Sequence, residues 1–139
     1  MRALLLCLLL GLPLAAPAAE LTGSDAAEIR TVIHRQIDAF RRDDAQSAFA
    51  LASPGVQKAF GTPERFLDTV RASYGAVYRP SRVAFLDLVV MGGDVVQPIQ
   101  VVDRDGGVWV AYYAMQRQKD GSWRTSGCHL AQPSRTISA

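Results

Sequence analysis

Hydrophobic residues recur along the chain in two distinct rhythms, and the change from one to the other near residue 81 divides it. Between Ala26 and Phe40 the apolar positions Ala26, Ile29, Val32, Ile33, Ile37 and Phe40 fall at steps of three and four, the stripe of an amphipathic helix. Ser24 or Asp25 can cap its start, and Arg42 suits its C-terminal end. Asp43 or Asp44 then opens a second helix with a narrow stripe of Ala45, Ala48, Phe49 and Ala52, which Ser53-Pro54-Gly55 stops. After one further turn, Gly61-Thr62-Pro63-Glu64 places a cap, a proline at the first helical position and an acid at the positive end of the dipole. Phe66, Leu67, Val70 and Tyr74 follow at helical spacing, and this third helix is expected to end at Gly75.

From Arg82 onward the pattern changes to runs rich in Val, Ile, Leu, Trp and Tyr: 82–90, 95–103, 108–118 and 123–131. Gly92-Gly93-Asp94, Asp105-Gly106-Gly107 and Asp120-Gly121 separate them with hairpin chemistry. Pro98 removes a ladder donor and signals an edge or a bulge, and Gly127 is a second place where the alternation can slip. The expected fold is α+β: three N-terminal helices packed on one face of a bent, four-stranded antiparallel sheet. Ile29, Ile33, Ile37, Phe40, Phe49, Phe66 and Val70 are expected to face the sheet. The segment from about residue 133 has no pattern and is expected to fray.

One position breaks the first stripe. Gln36 lies among the apolar residues, and a buried amide without partners costs roughly 1–3 kcal/mol. It must therefore bond to backbone, another side chain, water or a ligand. His34 lies well round from the stripe, at its boundary or on the surface.

The N-terminal segment MRALLLCLLLGLPLAAPAA has a positive charge at Arg2, an apolar run of about ten residues, Pro13 and then small residues. This is the layout of a secretory signal peptide with cleavage after Ala18, since a membrane-spanning helix needs ~20 apolar residues. Cys7 sits too early in that run for a lipid-modified cysteine. The mature chain is then a single domain over residues 19–139, periplasmic or secreted. It carries fourteen basic against thirteen acidic residues once Arg2 is removed. Mixed signs such as Arg41-Arg42-Asp43-Asp44 exclude a phosphate-binding face, so no nucleic-acid partner is expected. Cys128 is the one cysteine that survives processing, so the domain must be held by packing rather than by an internal disulfide.

Signatures of well-specified chemistry are missing from the sequence: there is no phosphate-binding glycine loop, HExxH, GxSxG or paired CxxC. Cys128 and His129 are adjacent in a strand and point to opposite faces unless Gly127 introduces a bulge. Asp38 falls opposite the apolar stripe, and Asp87, in an otherwise apolar run, is the acidic candidate that remains. No catalytic residue, metal site or cofactor is assigned. Trp109, Tyr113 and Met115 share one face of the third run and Tyr112 the other. A tyrosine on the concave side could join Gln36 at the polar end of a pocket. Candidate ligand-binding residues are Gln36, Tyr74, Tyr112, Tyr113, Thr125 and Cys128, for a small and mostly apolar ligand; a packed core with satisfied hydroxyls is the alternative.

The segments AFRRDDAQSAFALASP, FGTPERF, YGAVYRP and DGSWRTSGCHL, spread between Glu28 and Leu130, resemble the bacterial domain-of-unknown-function 4864 family. Helices followed by a bent sheet also resemble the nuclear-transport-factor-2-like cone, in which helices close a curved sheet around a cavity. The family resemblance implies no activity, and the cone hosts both enzymes and non-catalytic modules. Ketosteroid-isomerase-like and dehydratase-like cones place an aspartate, histidine or tyrosines inside, a set that cannot be matched here residue by residue. The resemblance also implies that Thr125 replaces a large aliphatic residue, leaving the cavity roomier and more polar. Three readings follow: a ligand-binding module, a cone-type enzyme (isomerase, dehydratase or hydrolase-like) acting on a small apolar substrate, and an interaction protein forming a homodimer through its sheet.

Overall fold

The structure, a computed structural model, describes residues 21–133. The signal-peptide reading of residues 1–18 and most of the C-terminal tail lie outside them. The order of elements is α1 (Gly23–Arg41), α2 (Ala45–Ala50), α3 (Pro54–Phe60), α4 (Pro63–Ser73), α5 (Gly75–Tyr78), β1 (Arg82–Phe85), β2 (Val89–Met91), β3 (Asp94–Val102), β4 (Val108–Arg117) and β5 (Trp123–Ala131). The fold is α+β, and the described residues form five helices and a five-stranded open antiparallel sheet rather than three and four.

The additional helices are short and have local causes. At Ser53-Pro54 the chain stops α2 and restarts at once, because the Ser53 side chain accepts from Val56 N and Pro54 occupies the first helical turn of α3. Gly75 begins α5 instead of ending α4, whose last residue is Ser73. The cap of α1 is Thr22 rather than Ser24 or Asp25. Asp25 is its reciprocal partner three residues on, and the two form a capping box. Asp44 caps α2.

In the sheet, the run expected over 82–90 is two strands, both paired to β3. The break falls opposite Pro98, whose missing N–H would have pointed to this side. Pro98 O still accepts from Leu86 N at 3.0 Å, and the buried Gln97 side chain donates to Leu86 O at 2.7 Å and to Pro98 O at 2.8 Å. A side-chain amide thus takes over part of the ladder where proline cannot contribute. The β2–β3 hairpin turns through Gly92 and Gly93, at φ 56° and 86°, values that strain any residue with a Cβ.

The hydrophobic core lies between α1 and the sheet. Ile29, Ile33, Ile37 and Phe40 are buried against Ile99, Val101, Ala111 and Tyr113, with Phe66 and Val70 of α4 closing one side and Phe49 half-buried. Phe66 sits at the centre of an aromatic group, 5.9 Å from Phe40, 5.6 Å from Phe49 and 5.4 Å from Phe60 by ring centroid.

Candidate functional site

Gln36 reaches across the interior from α1 to β5. Its Nε2 donates to Ala48 O at 3.0 Å and to Thr125 Oγ1 at 3.0 Å, and the residue is 2 % exposed. Thr125 is held in turn by the segment after α2. Its N–H donates to Leu51 O at 3.0 Å, and its carbonyl accepts from Ser53 N at 2.8 Å, forming an isolated parallel bridge beside Ala52. A knot of polar contacts therefore fastens α1, α2 and β5 together. Ala48 O can only accept, so the orientation of the Gln36 amide is fixed and Oε1 is left over. No described residue donates to it.

Beside this knot lies a cavity of about 270 Å³ lined by Gln36, Tyr113, Thr125 and Cys128 at its polar end. Phe40, Phe60, Phe66, Val70 and Tyr74 line the apolar remainder. Of the six candidate ligand-binding residues, the structure brings five together here: Gln36, Tyr74, Tyr113, Thr125 and Cys128. Tyr112 is placed elsewhere, 41 % exposed on the opposite face of β4 with its ring 6.4 Å from that of His129. Strict strand alternation alone decides this, since Tyr113 points in.

Alternation alone would not bring both Thr125 and Cys128 to the cavity, because they are three residues apart. The ladder pairs Ala114 with Gly127 but Met115 with Thr125, so Ser126 is an extra residue in β5 and reverses the alternation. Trp123 and Thr125 face inward before it, Cys128 and Leu130 after it. Gly127 signalled the bulge in the sequence, but its effect on facing needed the register.

Burial sets the electrostatics of the cavity. The Tyr113 phenol is pushed well above its ordinary range, first by loss of solvation and then by the Cys128 thiol, its cross-strand neighbour. Its hydroxyl is sealed from solvent without hydrogen-bond geometry to any described partner. Burial likewise raises Cys128 to about 12, with the Tyr113 hydroxyl opposing the rise. Both groups are neutral at physiological pH, so Cys128 is a poor nucleophile. Among the described residues the lining includes no carboxylate or imidazole. Asp87, the acidic candidate, is exposed in the link between β1 and β2, and His34 is exposed on α1 with its ring 4.8 Å from Phe85. Among the described residues no three His, Cys, Asp or Glu side chains converge to hold a metal ion, and no helix is long and apolar enough to cross a membrane.

Among the described residues, the one strongly perturbed carboxylate lies at the far end of α1 and is structural. Asp25 accepts from Thr22 N, which contributes most to lowering its pKa to about 2, and burial opposes that shift. It also accepts from Trp123 Nε1 at 3.2 Å and pairs with Arg117 at 2.8 Å. The sequence offered Asp25 as a cap and contained no sign of these partners, which lie about a hundred residues away in the chain.

Fold and cavity together define an α+β domain in which helices cover one face of an open antiparallel sheet and leave a small, uncharged, largely apolar pocket between them. The chain belongs to the family described as Domain of unknown function (DUF4864), whose model matches residues 22–137. No curated protein matches it.

Proposed function

We propose that this protein is an exported, non-catalytic module that holds a small, mostly apolar ligand between its helices and sheet. The observation that carries the reading is the pocket itself: an apolar volume with one fixed, unpaired amide oxygen at its buried end. In this reading the domain is a nuclear-transport-factor-2-like cone, supported by the order of helices before sheet and by the cavity between them. Export rests on the pattern of residues 1–18. A cone-type enzyme is the weaker reading, because the described lining offers no carboxylate or imidazole and burial raises the pKa values of Tyr113 and Cys128, away from those useful for proton transfer at neutral pH.

Protein purified from its native host, analysed by native mass spectrometry and thermal shift, tests the proposal. A co-purifying small molecule, or a compound from a screen, should stabilise the wild type and lose its effect in Gln36→Leu. If no compound stabilises the wild type and Gln36→Leu melts higher than it, the pocket is a packing defect and the binding reading fails.

One observation favours a second role as an interaction module. Val108 and Tyr112 are exposed on the outer face of β4, where a homodimer would bury them. Sedimentation equilibrium of the wild type and Tyr112→Glu would show a dimer that the substitution dissociates, and a monomeric wild type sinks this role.

A further inference from the structure

The chemistry of the cavity wall narrows what it can hold, an inference that rests on the binding reading above. Among the described residues no lining side chain is an acid or a base of the carboxylate, imidazole, ammonium or guanidinium kind: Gln36, Thr69, Thr125 and Ser126 are neutral, and burial keeps Tyr113 and Cys128 protonated. A carboxylate, phosphate or ammonium head group would surrender its hydration for no counter-charge, the most costly form of burial. The guest must be uncharged.

Its polar group follows from Gln36. With both amide protons directed at Ala48 O and Thr125 Oγ1, the amide presents an acceptor to the pocket and no donor. The described side-chain atoms that are sealed and unpaired are Arg79 Nε and Tyr113 Oη; Gln36 Oε1 is not one of them, so it stays within reach of a small molecule. Tyr113 Oη, in contrast, is closed off. Among the lining side chains the Thr69, Tyr74 and Ser126 hydroxyls can donate or accept, whereas the free atom of the Gln36 amide can only accept, so a guest that satisfies it must bring a donor. Phe60 and Phe66, edge to face at 5.4 Å, supply a wall for an apolar or aromatic body. At interior packing density, 270 Å³ accommodates a body of roughly 200 Å³.

We infer that the cavity binds a neutral apolar alcohol or phenol whose hydroxyl donates to Gln36 Oε1 while its hydrocarbon part packs against Phe60 and Phe66. Three probes of one shape separate the terms: 4-propylphenol, its methyl ether, and 4-propylbenzoate. Each is titrated into wild-type protein at neutral pH by calorimetry, with ligand-to-protein nuclear Overhauser contacts to the Phe60 and Phe66 rings locating the site. The phenol should bind in this cavity. Its ether should bind about tenfold more weakly, because the acceptor stays unpaired, and the benzoate should show no saturable binding. An ether as tight as the phenol, or a benzoate tighter than either, overturns the donor assignment and leaves the cavity standing. If none of the three binds or contacts those rings, the binding reading itself falls.

Discussion

Asp25 shows how one carboxylate can tie the start of α1 to the ends of β4 and β5. Its pKa of about 2, below the ordinary 3.8, means that the ionised form is favoured by the fold. The stability it contributes is complete above about pH 4 and is lost as pH falls through about 2. Asp25→Asn should therefore melt several degrees below wild type at neutral pH, and the gap should close between those two values in a pH series of melting curves. An unchanging gap would mean that the loss comes from packing rather than charge. At the other extreme, Cys128, raised to about 12, should react far more slowly with iodoacetamide in the folded protein than in urea, and burial should weaken the fold as pH rises through the range where the unfolded thiol ionises. Gln36 gives the third prediction at this scale. Thr125→Val keeps the shape and removes one acceptor, so chemical denaturation should show a loss of about 1–3 kcal/mol as a Gln36 proton goes unpaired.

Among the elements, α1 is the one on which the packing depends. Ile33 and Phe40 are essentially inaccessible, so Ile33→Ala or Phe40→Ala should each cost roughly 2–5 kcal/mol in urea unfolding. Wild-type midpoints for both would refute the assignment of this helix to the sheet. The corner after α1 is fastened at the surface: Asp43, at φ 52°, accepts from the Tyr78 hydroxyl and pairs with Arg79 at 2.7 Å and Arg71 at 3.4 Å. Asp43 and Arg71 are exposed while Tyr78 and Arg79 are half-buried, and solvent screening keeps the contribution of this pairing small by comparison. In the β2–β3 hairpin, Gly93→Ala should destabilise by about 1–2 kcal/mol because a Cβ disfavours its positive φ. The open space around that position makes backbone strain the whole effect, so replacement by a D-alanine in semisynthetic protein should restore stability.

At the scale of the whole molecule, a guest that binds the cavity stabilises the entire fold through mass action, by about 2.7 kcal/mol at a hundredfold excess over its dissociation constant. That coupling is natural here because the cavity is bounded by α1, α3, α4, α5, β4 and β5 together, so no single element can open without disturbing it. The same geometry sets Tyr112 apart. It stands outside this enclosure, exposed on the other face of β4.

The order of helices before strands, the apolar stripe of α1, the hairpin glycines and the inward position of Gln36 were legible in the sequence, because each follows from local periodicity or from a residue's own conformational limits. Residue spacing also singled out Pro98 and Gly127 as places where a strand could be disturbed. What each disturbance does was decided only in three dimensions. Pro98 divides a strand on the neighbouring side, and the extra residue Ser126 turns Thr125 and Cys128 to one cavity. The contacts of Gln36 with Ala48 and Thr125, and of Asp25 with Arg117 and Trp123, join residues remote in sequence. Their pairing depends on register and packing angle, which no local pattern encodes.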